Sequence, residues 1–354
     1  MRRMFSSILC LVSLTVGALM PTPSSAVPPA LQDPDPCIEP VGDPDPGTAE
    51  WRARDALNVA CALQRHVDKA AHPSTPLPVP ASTGGSISAA WNDAYRQPAR
   101  HDGIRFRYQQ MTIGGLAAEV FRPCAQDTCP NLPEGLQRFD APYPVVVVFH
   151  GNASRRELHW WSTQTLAEAG YMTVAINSPG YPSGPSLAHA RTIVDWLFDD
   201  ANPLASDIDR ERIGLAGHSL GGQVSSVFGQ QDARVGAIVS WDRGTGLALP
   251  QELNTPTLFV IADYNCQANP VCQPEPYFEP PPDTRGPAGR GREYEVVSAA
   301  GVDSMKIALR ATAHLDWTPS LLAGNRYAEL ISVYYALAWF DRYLKGVPTG
   351  DASP

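Results

Sequence analysis

Arg212-Ile213-Gly214-Leu215-Ala216-Gly217-His218-Ser219-Leu220-Gly221-Gly222-Gln223-Val224-Ser225-Ser226-Val227-Phe228 contains the pentapeptide G-x-S-x-G. A strand-like run enters it and a run of small, helix-compatible residues leaves it. That setting makes it a nucleophile elbow, a sharp strand-to-helix turn that holds a serine hydroxyl out of a sheet and beside a base. Glycines on either side of Ser219 remove the Cβ atoms that would clash in such a turn. Ser219 is therefore the candidate nucleophile.

Outward from the elbow the chain alternates strands and helices. Ile104–Tyr108 and Ala117–Phe121 alternate like antiparallel strands with one wet face. Val145–Phe149 is a continuous apolar run, as expected of a strand buried on both faces. A helix over Leu158–Ala169, a strand over Tyr171–Ile176 and a helix over Leu187–Phe198 lead to the elbow strand Ile213–Ala216. Strands over Val235–Ser240, Thr257–Ile261 and Met305–Leu309 follow, and Ala328–Leu344 is a closing helix. Together these predict an α/β-hydrolase fold: a mostly parallel central sheet with helices on both faces. Its site lies at the carboxyl ends of the strands.

The 354 residues and 44 % apolar content are ample for such a core. A net charge of −9 offers no basic patch, so nucleic acid is not an expected partner. Residues 1–26 read as a signal peptide: Arg2 and Arg3, the apolar run Ile8–Met20, then Ser24-Ser25-Ala26. That run is too short to span a bilayer, so no stable membrane anchor is expected and the protein is expected to be secreted or periplasmic. Arg2-Arg3-Met4-Phe5 is also compatible with twin-arginine export. Residues 27–88 read as a Pro-rich extension with a helix over Ala49–Ala71, residues 89–346 as the catalytic domain, and residues 347–354 as a tail. Without Cys10 the mature chain keeps six cysteines, which fall into the local pairs Cys37–Cys61, Cys124–Cys129 and Cys266–Cys272. An oxidising compartment favours these as disulfides. Neither C-x-x-C nor H-E-x-x-H occurs, and nothing calls for a metal or cofactor.

Acyl transfer by serine needs a base, an acid that orients it, and donors for the oxyanion. In this architecture the chain order is Ser, acid, His. His314 is the sole histidine after His218 and lies just past the last expected strand, so it is the candidate base. Asp242 and Asp263 each follow a strand at the catalytic edge. Where the acid follows the later strand, its slot in Ala262-Asp263-Tyr264-Asn265 is taken by Asn265, which carries no charge. Asp242 is therefore the preferred acid and Asp263 the alternative. The backbone N–H groups of Leu220 and Asn152 are the candidate oxyanion donors, with His150 as a support to the second loop. His218 and Trp241 are candidate pocket walls.

Pro144–Gly151, Trp160-Trp161, Leu166–Ile176, Gly217–Gly222, Thr255–Leu258 and Ala313-His314 together resemble the secreted α/β-hydrolases that span cutinase-like polyester hydrolases and platelet-activating-factor acetylhydrolases. The resemblance covers Tyr143 to about Trp317. It implies a serine carboxylic-ester hydrolase acting on a small-molecule, lipid or polymer ester as a monomer. Asp242 follows Ser219 by 23 residues, similar to the acetylhydrolase arrangement. Asn152 departs from the polyester hydrolases, where an aromatic residue follows the glycine. Two other readings remain: a peptidase or amidase with the same triad, and a non-catalytic binding protein on a hydrolase scaffold.

Overall fold

The computed structural model describes residues 48–50, 53, 56, 106–125, 139–179, 184–243, 246–265, 273–274, 292–318 and 327–347. The chain divides into two units, residues 1–38 and 39–354, and every described residue lies in the second.

Strand β1 (Phe106–Ile113) and β2 (Leu116–Pro123) form an antiparallel hairpin, and β2 pairs antiparallel with β4 (Met172–Asn177). From there the sheet is parallel. β4 pairs with β3 (Tyr143–Phe149), β3 with β5 (Ile208–His218), β5 with β6 (Val235–Trp241), and β6 with β7 (Thr257–Asn265). Beyond β7 lie β9 (Ser304–Ala313), parallel to it, and the short β8 (Gln273–Pro274), antiparallel. The expected α/β-hydrolase sheet is therefore present.

The four valines of β3 show why it sits in the middle. Val145, Val147 and Phe149 join a core with β1, β2 and helix α2 (Leu187–Phe198), while Val146 and Val148 join one on the other face with α1 (Trp160–Glu168) and α5 (Tyr327–Leu344). Every residue of β3 is buried, and an aliphatic side chain contributes about 2 kcal/mol when so removed from water. A strand apolar on both faces has no other stable place than the centre of a covered sheet.

Several elements differ in extent from the sequence reading. β5 begins at Ile208, five residues before the apolar run, because its polar first half pairs with β3 only at Tyr143. β9 runs on to Ala313, so the residue that follows it is His314. The expected helix Leu158–Ala169 is divided into a 3-10 turn (Arg156–His159) and α1. Helix α4 (Arg292–Ala299) and strand β8 carried no clear periodicity and were not expected. Of the helix expected over Ala49–Ala71, Ala49, Glu50, Ala53 and Ala56 are helical, and the remainder lies outside the described residues. The leader and the linker up to Ser88 also lie outside them, as do all the paired cysteines except Cys124, which is buried.

Candidate active site

β5 ends at His218, and α3 (Leu220–Gln231) begins two residues later. Ser219, between them, takes φ 56° and ψ −117°, a left-handed conformation that costs a non-glycine residue about 1–3 kcal/mol. Its neighbours hold it there: Ser219 N–H donates to the Trp241 carbonyl at 3.0 Å, and its own carbonyl accepts from Gln223 at 3.1 Å. The turn closes so tightly that a Cβ on Gly217 would lie 2.3 Å from the Gly221 carbonyl carbon, and one on Gly221 would lie 2.2 Å from the Phe149 oxygen. Only glycine fits at either place. The strained turn leaves Ser219 partly exposed at the carboxyl edge of the sheet.

His314 opens a 3-10 turn (His314–Trp317) at the end of β9 and points back at the serine. Its Nε2 lies 2.9 Å from Ser219 Oγ. Its Nδ1 is hydrogen-bonded to Asp242 Oδ2, and Asp242 Oδ1 accepts the Ala262 N–H at 3.0 Å. Asp242 is fully buried and has φ 39°. That left-handed turn, which Asp tolerates better than most residues, brings the carboxylate from the end of β6 across to β9. Ser219, His314 and Asp242 thus form one hydrogen-bonded chain. Asp263 lies in β7, and its side chain is outside the described residues.

The turn bearing His314 is held from three sides. His218 Nε2–H donates to the His314 carbonyl at 2.8 Å, Trp161 Nε1–H to the Trp317 carbonyl at 3.1 Å, and Trp317 Nε1–H to Ser332 Oγ at 2.7 Å. The two expected pocket walls are therefore core residues instead. Trp241 is 0 % exposed, with its ring 4.8 Å from that of Trp161, and His218 is 2 % exposed, stacked on Trp317. Trp241 packs in the core with residues of α1 and α5, and the His218 ring packs among those of His159, His314 and Trp317.

The loop after β3 runs against the elbow. A Cβ on Gly151 would lie 3.2 Å from Ser219 Cβ, and Asn152 and Leu220 both flank Gly184. His150 is buried beneath this loop. Its Nε2 accepts the Ser178 N–H at 3.0 Å, so the neutral ring carries its proton on Nδ1 and donates it to the Gly151 carbonyl at 2.7 Å. Burial is the main cause that pushes its pKa down to about 4, with the nearby Arg155, Arg156 and His189 charges adding to the effect against the Gly151 carbonyl. The turn after Asp242 is tied by a partly buried ion pair between Arg243 and Glu293 of α4. Burial raises the Glu293 carboxyl and lowers the Arg243 guanidinium from their ordinary values. Sequence reading missed Ser178, Arg243 and Glu293, because each acts through a contact between elements distant in the chain.

The His150 shift has a sign that can be tested. Above about pH 6.5 the ring is neutral in both folded and unfolded chains and contributes nothing. Between there and about pH 4 the unfolded chain takes up a proton that the folded one refuses, so stability is lost as pH falls, by about 3 kcal/mol in all. Urea unfolding at pH 7 and pH 4.5 is expected to show a loss smaller by about 2 kcal/mol in His150→Asn than in the parent protein. Equal losses in both overturn that.

A nucleophile elbow on a parallel sheet, with a histidine following the last strand, defines the α/β-hydrolase class. Residues 139–285 match the family model described as PET hydrolase-like. The chain has the α/β-hydrolase fold, and within it residues 139–285 are similar to polyester hydrolases. A ferulic acid esterase from Streptomyces cinnamoneus superposes with a TM-score of 0.51 at 18 % identity, covering 71 % of this chain and 93 % of that one, which shows the shared fold. A putative dienelactone hydrolase from Klebsiella pneumoniae subsp. pneumoniae MGH 78578 superposes with a TM-score of 0.48 at 14 % identity, over 67 % of this chain and 99 % of that one. No curated protein matches the chain. Among the described residues no helix is long and apolar enough to cross a membrane, and no group of three or more His, Cys, Asp or Glu is arranged to hold a metal ion.

Proposed function

We propose that this chain is an exported serine carboxylic-ester hydrolase. The observation that supports it is the hydrogen-bonded chain from Ser219 through His314 to Asp242. Ser219 Oγ attacks the ester carbonyl carbon while His314 Nε2 takes its proton. Asp242 keeps the other proton on Nδ1 and stabilises the imidazolium. The N–H groups of Asn152 and Leu220 receive the oxyanion. His314 then returns the proton to the departing alcohol, leaving an acyl-enzyme. A water then attacks the acyl carbon as His314 Nε2 takes its proton; the bond to Ser219 Oγ breaks, His314 returns that proton to Oγ, and the acid leaves. The leader and the three disulfides are part of this proposal from the sequence. Thiol titration of the denatured mature protein is expected to find no free cysteine, and a reactive pair would remove one bridge.

Polyester hydrolysis is the second reading, favoured by the PET hydrolase-like match. Against it stand Asn152 in place of an aromatic residue and the burial of Trp241, which leave neither position to clamp an aromatic polymer. The deciding experiment is a panel of p-nitrophenyl esters from acetyl to palmitoyl, with a polyester film and an oxidised phospholipid. Turnover of soluble esters with little release from the film is expected. Substantial release from the film establishes the second reading. A folded mature protein that turns over none of these overturns the proposal in favour of the non-catalytic reading.

A further inference from the structure

We propose that His150 is a positioning residue that fixes the peptide plane between Gly151 and Asn152, and so aims the Asn152 N–H at the oxyanion. The inference rests on the assignment of Asn152 as an oxyanion donor. In a trans peptide the C=O of one residue and the N–H of the next belong to one rigid plane and point in opposite directions. The carbonyl that His150 Nδ1–H holds is that of Gly151. Holding it therefore sets the direction of the Asn152 N–H.

This plane needs holding. Gly151 has the softest backbone in the chain's repertoire and is pressed against Ser219. The two residues after it are exposed, and Ala153 sits at φ 49°. Rotating the plane by half a turn would replace the N–H with a carbonyl oxygen, which repels the developing negative charge.

The ring itself is anchored. The Ser178 N–H on Nε2 leaves Nδ1 as the protonated nitrogen, so the ring donates in the one direction required. The same strand end clamps the other side of the loop: Asn177 Oδ1 accepts the Arg156 N–H at 2.8 Å, and Asn177 Nδ2 donates to Glu157 at 3.2 Å. The exit of β4 thus holds both ends of the segment that carries Asn152. A hydrogen bond to its carbonyl also polarises the peptide and strengthens its N–H as a donor.

The test uses three variants of the full chain on p-nitrophenyl acetate. His150→Phe keeps the ring volume and loses both nitrogens. His150→Asn keeps a donor near the Nδ1 position, and His150→Gln keeps an acceptor near Nε2. His150→Phe is expected to lower kcat by about 30- to 100-fold with KM within about threefold, somewhat less than the loss of a whole oxyanion donor. His150→Asn is expected to recover about tenfold of that, and His150→Gln less. A trifluoromethyl ketone, whose adduct with the enzyme carries the oxyanion, should bind more weakly to each variant in proportion to its loss of kcat/KM. A residue that merely supports folding would lower Tm without these parallel losses. Folded His150→Phe within threefold of the parent kcat overturns the inference. If His150→Phe does not fold, His150→Gln equal to or faster than His150→Asn overturns it instead. Ser219→Ala run alongside separates the two failures: if it is inactive while His150→Phe is unaffected, the inference on His150 fails alone; if it stays active, the reading of the site fails.

Discussion

Ser219→Ala is expected to lower kcat on a small soluble ester by a factor on the order of 10⁵, with the fold retained. Alanine fits the space of serine, and what it removes is the Oγ atom 2.9 Å from His314 Nε2. Loss of one such hydrogen bond costs about 1 kcal/mol of stability, a small part of what a domain of this size holds. The backbone strain at φ 56° is nearly the same for both residues, so it does not enter the difference. The activity that remains should come from the oxyanion donors and substrate positioning, which need no nucleophile on the enzyme. The burst of p-nitrophenol from acyl-enzyme formation should vanish with it. A folded Ser219→Ala protein that retains more than a tenth of parent activity rules out the serine mechanism.

Asp242→Asn is expected to cost about 10⁴ in kcat/KM, and Asp263→Asn no more than a few-fold. The size of the first effect follows from the hydrogen bond that the other carboxylate oxygen makes. Asp242 Oδ1 accepts the Ala262 N–H, so in the Asn variant the amide oxygen is drawn to that place and the amide NH2 faces His314. An N–H facing Nδ1 requires that nitrogen to be bare, which moves the imidazole proton to Nε2. The ring then meets Ser219 with a proton already in place and cannot accept another. Steady-state kinetics of both variants on one ester, with circular dichroism to confirm folding, check the ranking. The reverse ranking in folded proteins would place the acid on β7.

Local sequence carried the elbow. Gly217, Ser219 and Gly221 lie within five residues, and the close approaches that require those glycines are made to one another and to the adjacent strand β3. The strands of the parallel sheet were legible for a similar reason. Val145–Phe149 is apolar at every position because both of its faces are covered, and that pattern needs no partner to be recognised. Elements with weak pattern were not legible: β8 is two residues long, and α4 is polar through most of its length. Trp241 shows the opposite error. An aromatic residue beside a candidate acid reads as a pocket wall, and only the packing of α1 over β6, with Trp161 against it, makes it core.

By itself, then, the amino-acid sequence determined the class of the fold, the position of the elbow and the histidine to which chain order leads. It also narrowed the acid to two residues. Tertiary structure alone decided which of these groups meet. Asp242 and His314 are 72 residues apart, each just past the end of a strand, β6 and β9, with β7 between those strands. Their contact depends on the left-handed turn at Asp242, the register of β9 on β7 and the 3-10 turn that starts at His314. Periodicity reports how one residue relates to its near neighbours, so it reveals which strands are buried. The hydrogen bond between two side chains at different strand ends depends on distances of a few tenths of an ångström, set by the packing of the whole sheet.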